Sequence, residues 1–413
     1  MCAVTILVGG CVSTQNPRQI AARIQRLEQR VLADSTDQAA QRDLGKYYAQ
    51  AGRFVQARTH LRAARALDSS DAQASFLLGL ALEATGDTTG ALHIYENYPQ
   101  VPRTSLYRRR MAGRYRILVR KLTAEALREQ IASGEQELPV VAGTMAVFPF
   151  TYTGGDGRYA ALGRGLGEMV LVDLTAVEGL RLVERIRLQA LLDELALAKG
   201  GAFDPASAPR QGRLLGAERS VGGTYGVLPG DLIRIDAAAY EGAQPLGNAE
   251  THADVIKNLF ALEKDVVFGL LEEMQIELTP EERIAIEHVP TRNLQAFLAY
   301  SRGLLEEDRG NYAQALESFR SAEAMDPGFT LSADEGDIVE GTIEVTGSPQ
   351  EVISRAGKPI LNRNGLIGER QQKLGENVGS VMIPGQDRRT PASEAANSNT
   401  GLPDPPRPPS HDQ

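Results

Sequence analysis

The stretch "GGDGRYAALGRGLGE" is where the sequence comes nearest to a reactive site. It follows a strand-like segment and opens a helix-like one, so Gly163, Gly165 and Gly167 would present backbone amides to a phosphate at a helix start. Glu184 falls about twenty residues on, where a ribose-binding acid would lie. The details weaken this reading. The spacing is GxGxG rather than GxGxxG, twelve residues separate Phe150 from Gly163, and no Gly-Lys-Ser/Thr forms a Walker loop. A nucleotide-binding enzyme is therefore only an alternative. The five histidines, at 60, 93, 252, 288 and 411, make no HExxH and no i, i+4 pair for a metal. No GxSxG elbow offers a nucleophile. Asp193 and Glu194 fall on amphipathic helices, where a solvated face is the default. The residues lead to no catalytic group, no metal and no cofactor, and the protein is expected not to be an enzyme.

The two cysteines, Cys2 and Cys11, both stand in the opening stretch, so nothing beyond Cys11 can form an intrachain disulfide or thiolate metal site. Residues 3–10 are apolar, and "LVGGC" resembles the lipobox of bacterial lipoproteins, in which Leu or Val and two small residues precede the lipid-bearing Cys. The resemblance implies a signal peptide at 1–10, lipidation of Cys11, and a tether with a lead helix at 11–37. No Lys or Arg precedes the apolar run, and ten residues are few for a signal; a true start upstream of Met1 would explain both. No stretch reaches the ~20 apolar residues of a spanning helix. A net charge of -9 and a pI near 5.3 argue against a nucleic-acid partner. The chain's 413 residues leave room for two or three domains, with an ordinary hydrophobic fraction of 42% and charged fraction of 23%.

Residues 18–33 read as a helix with Ile20, Ile24, Leu27 and Val31 on one stripe. A repeat of 34 residues follows. Leu44-Gly45 recurs as Leu78-Gly79, Gly52 as Gly86, Ala57 as Ala91, and Leu61 as Tyr95. That period and pattern resemble the tetratricopeptide repeat, a pair of antiparallel helices. The small residues mark close helix crossings, and Gly52 and Gly86 permit the turns. Two repeats thus occupy 38–103. The same template returns as Gly303, Gly310, Ala315, Phe319 and Ala322, giving one more repeat at 291–330. A single repeat cannot bury its own face, so it must dock elsewhere. The resemblance implies protein partners in a concave groove around Leu44, Tyr47, Tyr48 and Leu78. Between 103 and 121 lie eight Lys/Arg and no acid, with Tyr107, Met111, Tyr115, Leu118 and Leu122 as an apolar stripe. This reads as an amphipathic connector helix at 104–137 with solvated arginines. Arg108, Arg109 and Arg110 form a second, electrostatic candidate for a partner or for anionic headgroups.

Residues 138–290 alternate helices with strands and then place strands together, which predicts an α/β sandwich with a mixed sheet. Along "DLIRIDAAAYEG", Ile233, Ile235, Ala237 and Ala239 alternate with more polar residues as in a half-buried strand, and a long helix is expected over 254–274. The blocks "TMAVFPF", "LGRGLGEMVLVDLTAVEGLRLVERIRLQALLDELAL", "GRLLGAERSVGGTY", "LIRIDAAAYEG" and "IELTPEERIAIEHVP" resemble the CsgG-like domain of the curli-secretion lipoproteins, and the related TolB N-terminal fold. The resemblance implies an outer-membrane-anchored, periplasm-facing location, no catalysis, and a capacity to form homo-oligomers. The curli pore needs two membrane hairpins per subunit, each strand with ~9–11 residues of alternation, and no such pair is evident in 140–290. A scaffold or adaptor is the leading expectation, with a secretion-channel subunit as the alternative. Residues 331–413 lose the pattern, with weak alternation at 334–347, and end proline-rich; a disordered tail is expected. The expected class is α+β and multidomain.

Overall fold

A computed structural model of the protein describes residues 17–133, 139–199, 208–251 and 253–356. The expected signal peptide, Cys11, the start of the tether and the end of the tail lie outside the described residues.

The chain opens with α1 (Pro17–Ala33), α2 (Gln38–Gln50), α3 (Phe54–Leu67), α4 (Ala72–Ala84), α5 (Thr88–Tyr95) and the long α6 (Leu106–Ser133). Carboxylates set the helix starts: Asp37, Asp71 and Asp87 accept hydrogen bonds from the amides of Ala40, Ala74 and Gly90. Between paired helices the chain turns at Gly52 and Gly86, with φ of 72° and 83°. Gly45 lets α2 approach α3 so closely that a Cβ there would stand 2.5 Å from Leu61 Cγ. Gly79 meets the Tyr95 ring in the same way.

The middle region contains β1 (Val141–Val147), β2 (Thr151–Tyr152), α7 (Leu162–Leu174), β3 (Arg181–Leu182), α8 (Arg185–Lys199), α9 (Ala208–Arg213), β4 (Ala217–Leu228), β5 (Leu232–Glu241), β6 (Gln244–Glu250), β7 (Asp254–Val255), α10 (Leu259–Glu273) and α11 (Pro280–Glu287). The sheet order is β3-β1-β4-β5-β6, with β2 on β4 and β7 on β5. β1 runs parallel to β3 and β4, whereas β4, β5 and β6 are antiparallel, so the sheet is mixed. Register pairs Val221 with Ala239 and Tyr225 with Ile235. Ile233, Ile235, Ala237 and Ala239 are buried together with Leu166 and Val170 of α7 and Val267 and Leu270 of α10. Two details differ from the sequence expectation. The long helix starts at Leu259, not 254, because Asp254 and Val255 pair with β5. β6 carries Pro245 and Gly247 and only a weak alternation, which hid it.

Four helices complete the described chain: α12 (Leu294–Asp308), α13 (Tyr312–Met325), α14 (Thr330–Val345) and α15 (Pro349–Ala356). Phe297, Tyr300, Phe319 and Phe329 continue the apolar core of the sheet region, which is where the isolated repeat buries its face. The expected disorder from 331 onward is corrected for 331–356. α14 buries only two aliphatic side chains, Val339 and Val345; Ser332, Gly336, Gly341 and Thr342 supply small contacts, and two of its acids meet arginines of α6. Residues up to Ser354 belong to one compact unit.

Candidate functional site

Gly113 stands 34 residues after Gly79, which itself stands 34 after Gly45. The first half of α6 therefore occupies the first-helix position of a further repeat, and its second helix does not follow in the chain. α14 packs there instead. A Cβ at Gly113 would lie 2.6 Å from Thr342 N and 2.7 Å from its Cα, and one on Gly341 would strike the Arg109 carbonyl oxygen. Two backbones about 230 residues apart thus cross with no side chain between them. This register was visible in the sequence, masked by the arginines around Gly113.

Those arginines are not a solvated face, and that expectation is corrected. Arg110 and Arg114 are 5% and 3% exposed. Arg109 and Arg110 pair with Glu344 of α14, and Arg108 donates to the carbonyls of Pro99 and Val101 at 2.6 and 2.7 Å. Arg114 binds Glu83 of α4 and donates to the carbonyls of Val345 and Gly347 at 2.9 and 2.8 Å. The side-chain charge of Arg109 and Arg110 is thereby committed within the chain. Asp193 and Glu194 are likewise paired, with Arg120 and Arg128.

The expected groove residues divide. Leu44 and Leu78 are 1% and 2% exposed and belong to the core, which corrects their place in an open groove. Tyr48 is also buried; it donates to Glu28 of α1 at 2.5 Å and stacks on His60. Burial and the Glu28 carboxylate push its hydroxyl up to about 12. Tyr47 is half-exposed, accepts a hydrogen bond from Arg23 at 2.8 Å and carries that guanidinium against its ring. The apolar cluster of Leu44, Phe76, Leu78 and Leu80 also includes Val345 of α14 and Val352 and Ile353 of α15.

A second charged cluster lies where α6, α7, α8, α12 and α14 meet. Arg116 pairs with Glu307 and Glu335, Arg185 with Glu307 and Asp308, and Arg164 reaches Asp308 at 2.8 Å. Glu168 stands 3.4 Å from Arg185 with an Oε2 that accepts no hydrogen bond, and burial raises its pKa to about 7. These are buried structural pairs joining the middle region to both helical ends.

The glycine-rich stretch is not a phosphate loop. Gly163, Gly165 and Gly167 lie inside α7, and each serves close packing. Gly163 faces the Phe150 carbonyl, Gly165 faces Ser301 and Phe297 of α12, and a Cβ on Gly167 would be 3.1 Å from Phe148 O. The Gly163 amide already donates to the Tyr225 hydroxyl at 3.0 Å. Glu184 accepts from Tyr115 at 2.6 Å, on a different element. The nucleotide alternative is thereby withdrawn.

Comparison with known families agrees with this architecture. Residues 42–102 match the tetratricopeptide repeat, and residues 129–225 match the curli production assembly/transport component CsgG. The chain combines a tetratricopeptide repeat with a CsgG domain. The CsgG match ends within β4, so β5, β6 and α10 complete its sheet from outside the matched residues. No curated protein matches the chain. Tetratricopeptide repeats generally mediate protein–protein interactions, neither family is enzymatic in general, and CsgG is an envelope component. Among the described residues, no cluster of His, Cys, Asp or Glu has the arrangement of a metal site. No described helix is long and apolar enough to cross a membrane.

Proposed function

We propose that this protein is a non-catalytic, lipid-anchored scaffold of the bacterial envelope. It faces the periplasm from the outer membrane, binds partner proteins through its helical repeats, and assembles through its CsgG domain, in secretion or assembly at that membrane. The observation that carries the reading is the union of the two families in one unit, held together by α6 and α14. A rigid repeat array fused to an assembly domain offers two separate protein surfaces. The anchor rests on the "LVGGC" stretch ending at Cys11. Tyr47 is the member of the expected groove that remains half-exposed, with Arg23 against its ring.

Membrane fractionation tests the anchor. Cys11→Ser is expected to move the protein from the membrane to the soluble fraction, and an unchanged distribution would contradict it. The CsgG match keeps a secretion-channel subunit as the second reading. Ring-shaped oligomers with detergent-dependent conductance would favour that reading over the scaffold.

A further inference from the structure

We infer that the first end of the helical array, built by α1, α2 and the turn into α3, is a cationic face that lies on anionic phospholipid headgroups. The charge of the face stands on its own, and the choice of lipid over another polyanion rests on the anchor at Cys11 proposed above.

Charge is divided unevenly along the chain. Residues 17–67 hold ten Lys/Arg and four Asp/Glu, a net +6 within a chain of net -9. The arginines of α6 are consumed inside the fold, by Glu83, Glu307, Glu335 and Glu344 among others. Within 17–67, Arg30, Arg42 and Arg62 also meet carboxylates. Arg23, Arg26, Lys46 and Arg53 differ: among the described residues none of the four forms an ion pair. Arg26 donates to the Ala22 carbonyl of its own helix at 3.3 Å. Arg23 and Lys46 stand against the same ring, that of Tyr47, at 5.4 and 5.8 Å from its centroid, and Arg53 lies 5.9 Å from the centroid of Tyr48. The acid on α1, Glu28, is engaged by the Tyr48 hydroxyl. α1 runs antiparallel to α2, since Arg23 reaches Tyr47 and Arg30 reaches Asp37. The first half of α1 therefore lies beside the end of α2 and the turn at Gly52, which gathers the four cations.

Arg23, Arg26 and Arg53 are exposed, Lys46 and Tyr47 are half-exposed, and Val55, just past the turn, is 60% exposed. Cations around a tyrosine and an open aliphatic side chain suit the headgroup level of a bilayer. The charges meet phosphates there, and the ring sits at the polar-apolar boundary. Position agrees with composition. Pro17 stands six residues after Cys11, at most ~20 Å of extended chain, so a lipid on Cys11 keeps this end beside the membrane. The headgroup role expected for Arg108, Arg109 and Arg110 thus passes to a different set of cations, whose charge the fold leaves uncompensated.

The test uses the full chain carrying Cys11→Ser, so that no attached lipid contributes, in sedimentation with two kinds of vesicle. One is phosphatidylglycerol with phosphatidylethanolamine, and the other is phosphatidylcholine alone. Partition onto the anionic vesicles is expected to exceed that onto the neutral ones by at least ~10-fold at low salt, and to lose the excess at about 0.5 M salt. Adding R23Q/R26Q/K46Q is expected to weaken the binding at least ~10-fold. K257Q/R292Q/R302Q, which neutralises three exposed cations elsewhere, should leave it within ~3-fold. Equal partition onto both vesicles, or equal losses from the two triple variants, would overturn the proposal. So would preferential capture of a labelled polyglutamate peptide over anionic vesicles of matched charge, which assigns the face to an acidic protein. Should the first triple variant unfold, hydrogen exchange on the Cys11→Ser chain decides: anionic vesicles are expected to slow the α1 amides, and unchanged exchange would refute the contact. Attachment by the face alone washes off in salt, whereas a lipid anchor does not. Salt-washed membranes therefore report on Cys11 and vesicles report on the face, so the two readings fail separately.

Discussion

At the scale of single residues, buried charge decides the behaviour of this molecule. Glu168 is enclosed at the junction, and burial lifts its pKa from 4.5 to about 7. The folded chain therefore holds a proton there that the unfolded chain releases between these values. Stability from this group is complete below about 4.5 and is lost as the pH rises through about 7. Glu168→Gln is expected to melt with the wild type at pH 4.5 and above it at pH 8.5, by on the order of 1–3 kcal/mol. A variant less stable than the wild type at pH 8.5 would reverse this sign. The Arg114–Glu83 pair behaves differently, because both side chains are nearly enclosed, 4% and 6% exposed, and satisfied. Arg114→Ala is expected to lower stability by about 3–5 kcal/mol in denaturant titration, since it strands a buried carboxylate. The double variant R114M/E83Q should recover part of that loss, and a double variant no better than Arg114→Ala would show that the pairing is not what matters.

At the scale of elements, glycines identify which helices belong together. Gly45 meets a side chain, Leu61, that can shift, whereas Gly113 meets the backbone of Thr342. Gly113→Ala is therefore expected to cost more than Gly45→Ala in thermal melts, and the reverse order would exclude the tight α6–α14 crossing. Much of this level was legible in the sequence. The 34-residue register gave the paired helices, and the alternation of Ile233, Ile235, Ala237 and Ala239 gave β5. α14 was hidden because it buries mostly small residues and only two valines, and its paired acids make sense only once Arg109, Arg110 and Arg116 are placed against them. The arginine run misled for the same reason: the α12 and α14 acids that pair with Arg109, Arg110 and Arg116 lie about 190 to 235 residues away in the chain. Local spacing carries no record of them. The groove residues Leu44 and Leu78 were recognised by type, but whether a leucine faces a neighbour helix or a partner depends on what else folds over it.

At the scale of the whole molecule, the chain closes on itself. The N-terminal repeats, the CsgG domain and the C-terminal helices share α6 as a common strut, which touches α4, α8 and α14 through Arg114, Arg120 and Gly113. Termination after residue 356 is expected to leave the melting temperature within a few degrees. Termination after residue 329 removes α14 and should broaden or abolish cooperative unfolding. Equal melting of the two forms would mean that the C-terminal helices do not hold the unit together. On the proposed function, the buried junction fixes the domains, and the tether and the repeat face are assigned to anchoring and partners. Native mass spectrometry of the tagged chain, released from membranes in detergent, tests that division most directly. The predicted spectrum shows the chain from Cys11 onward, lipid-modified and bound to a second protein in fixed stoichiometry. An unmodified, unaccompanied chain recovered from the soluble fraction would contradict it.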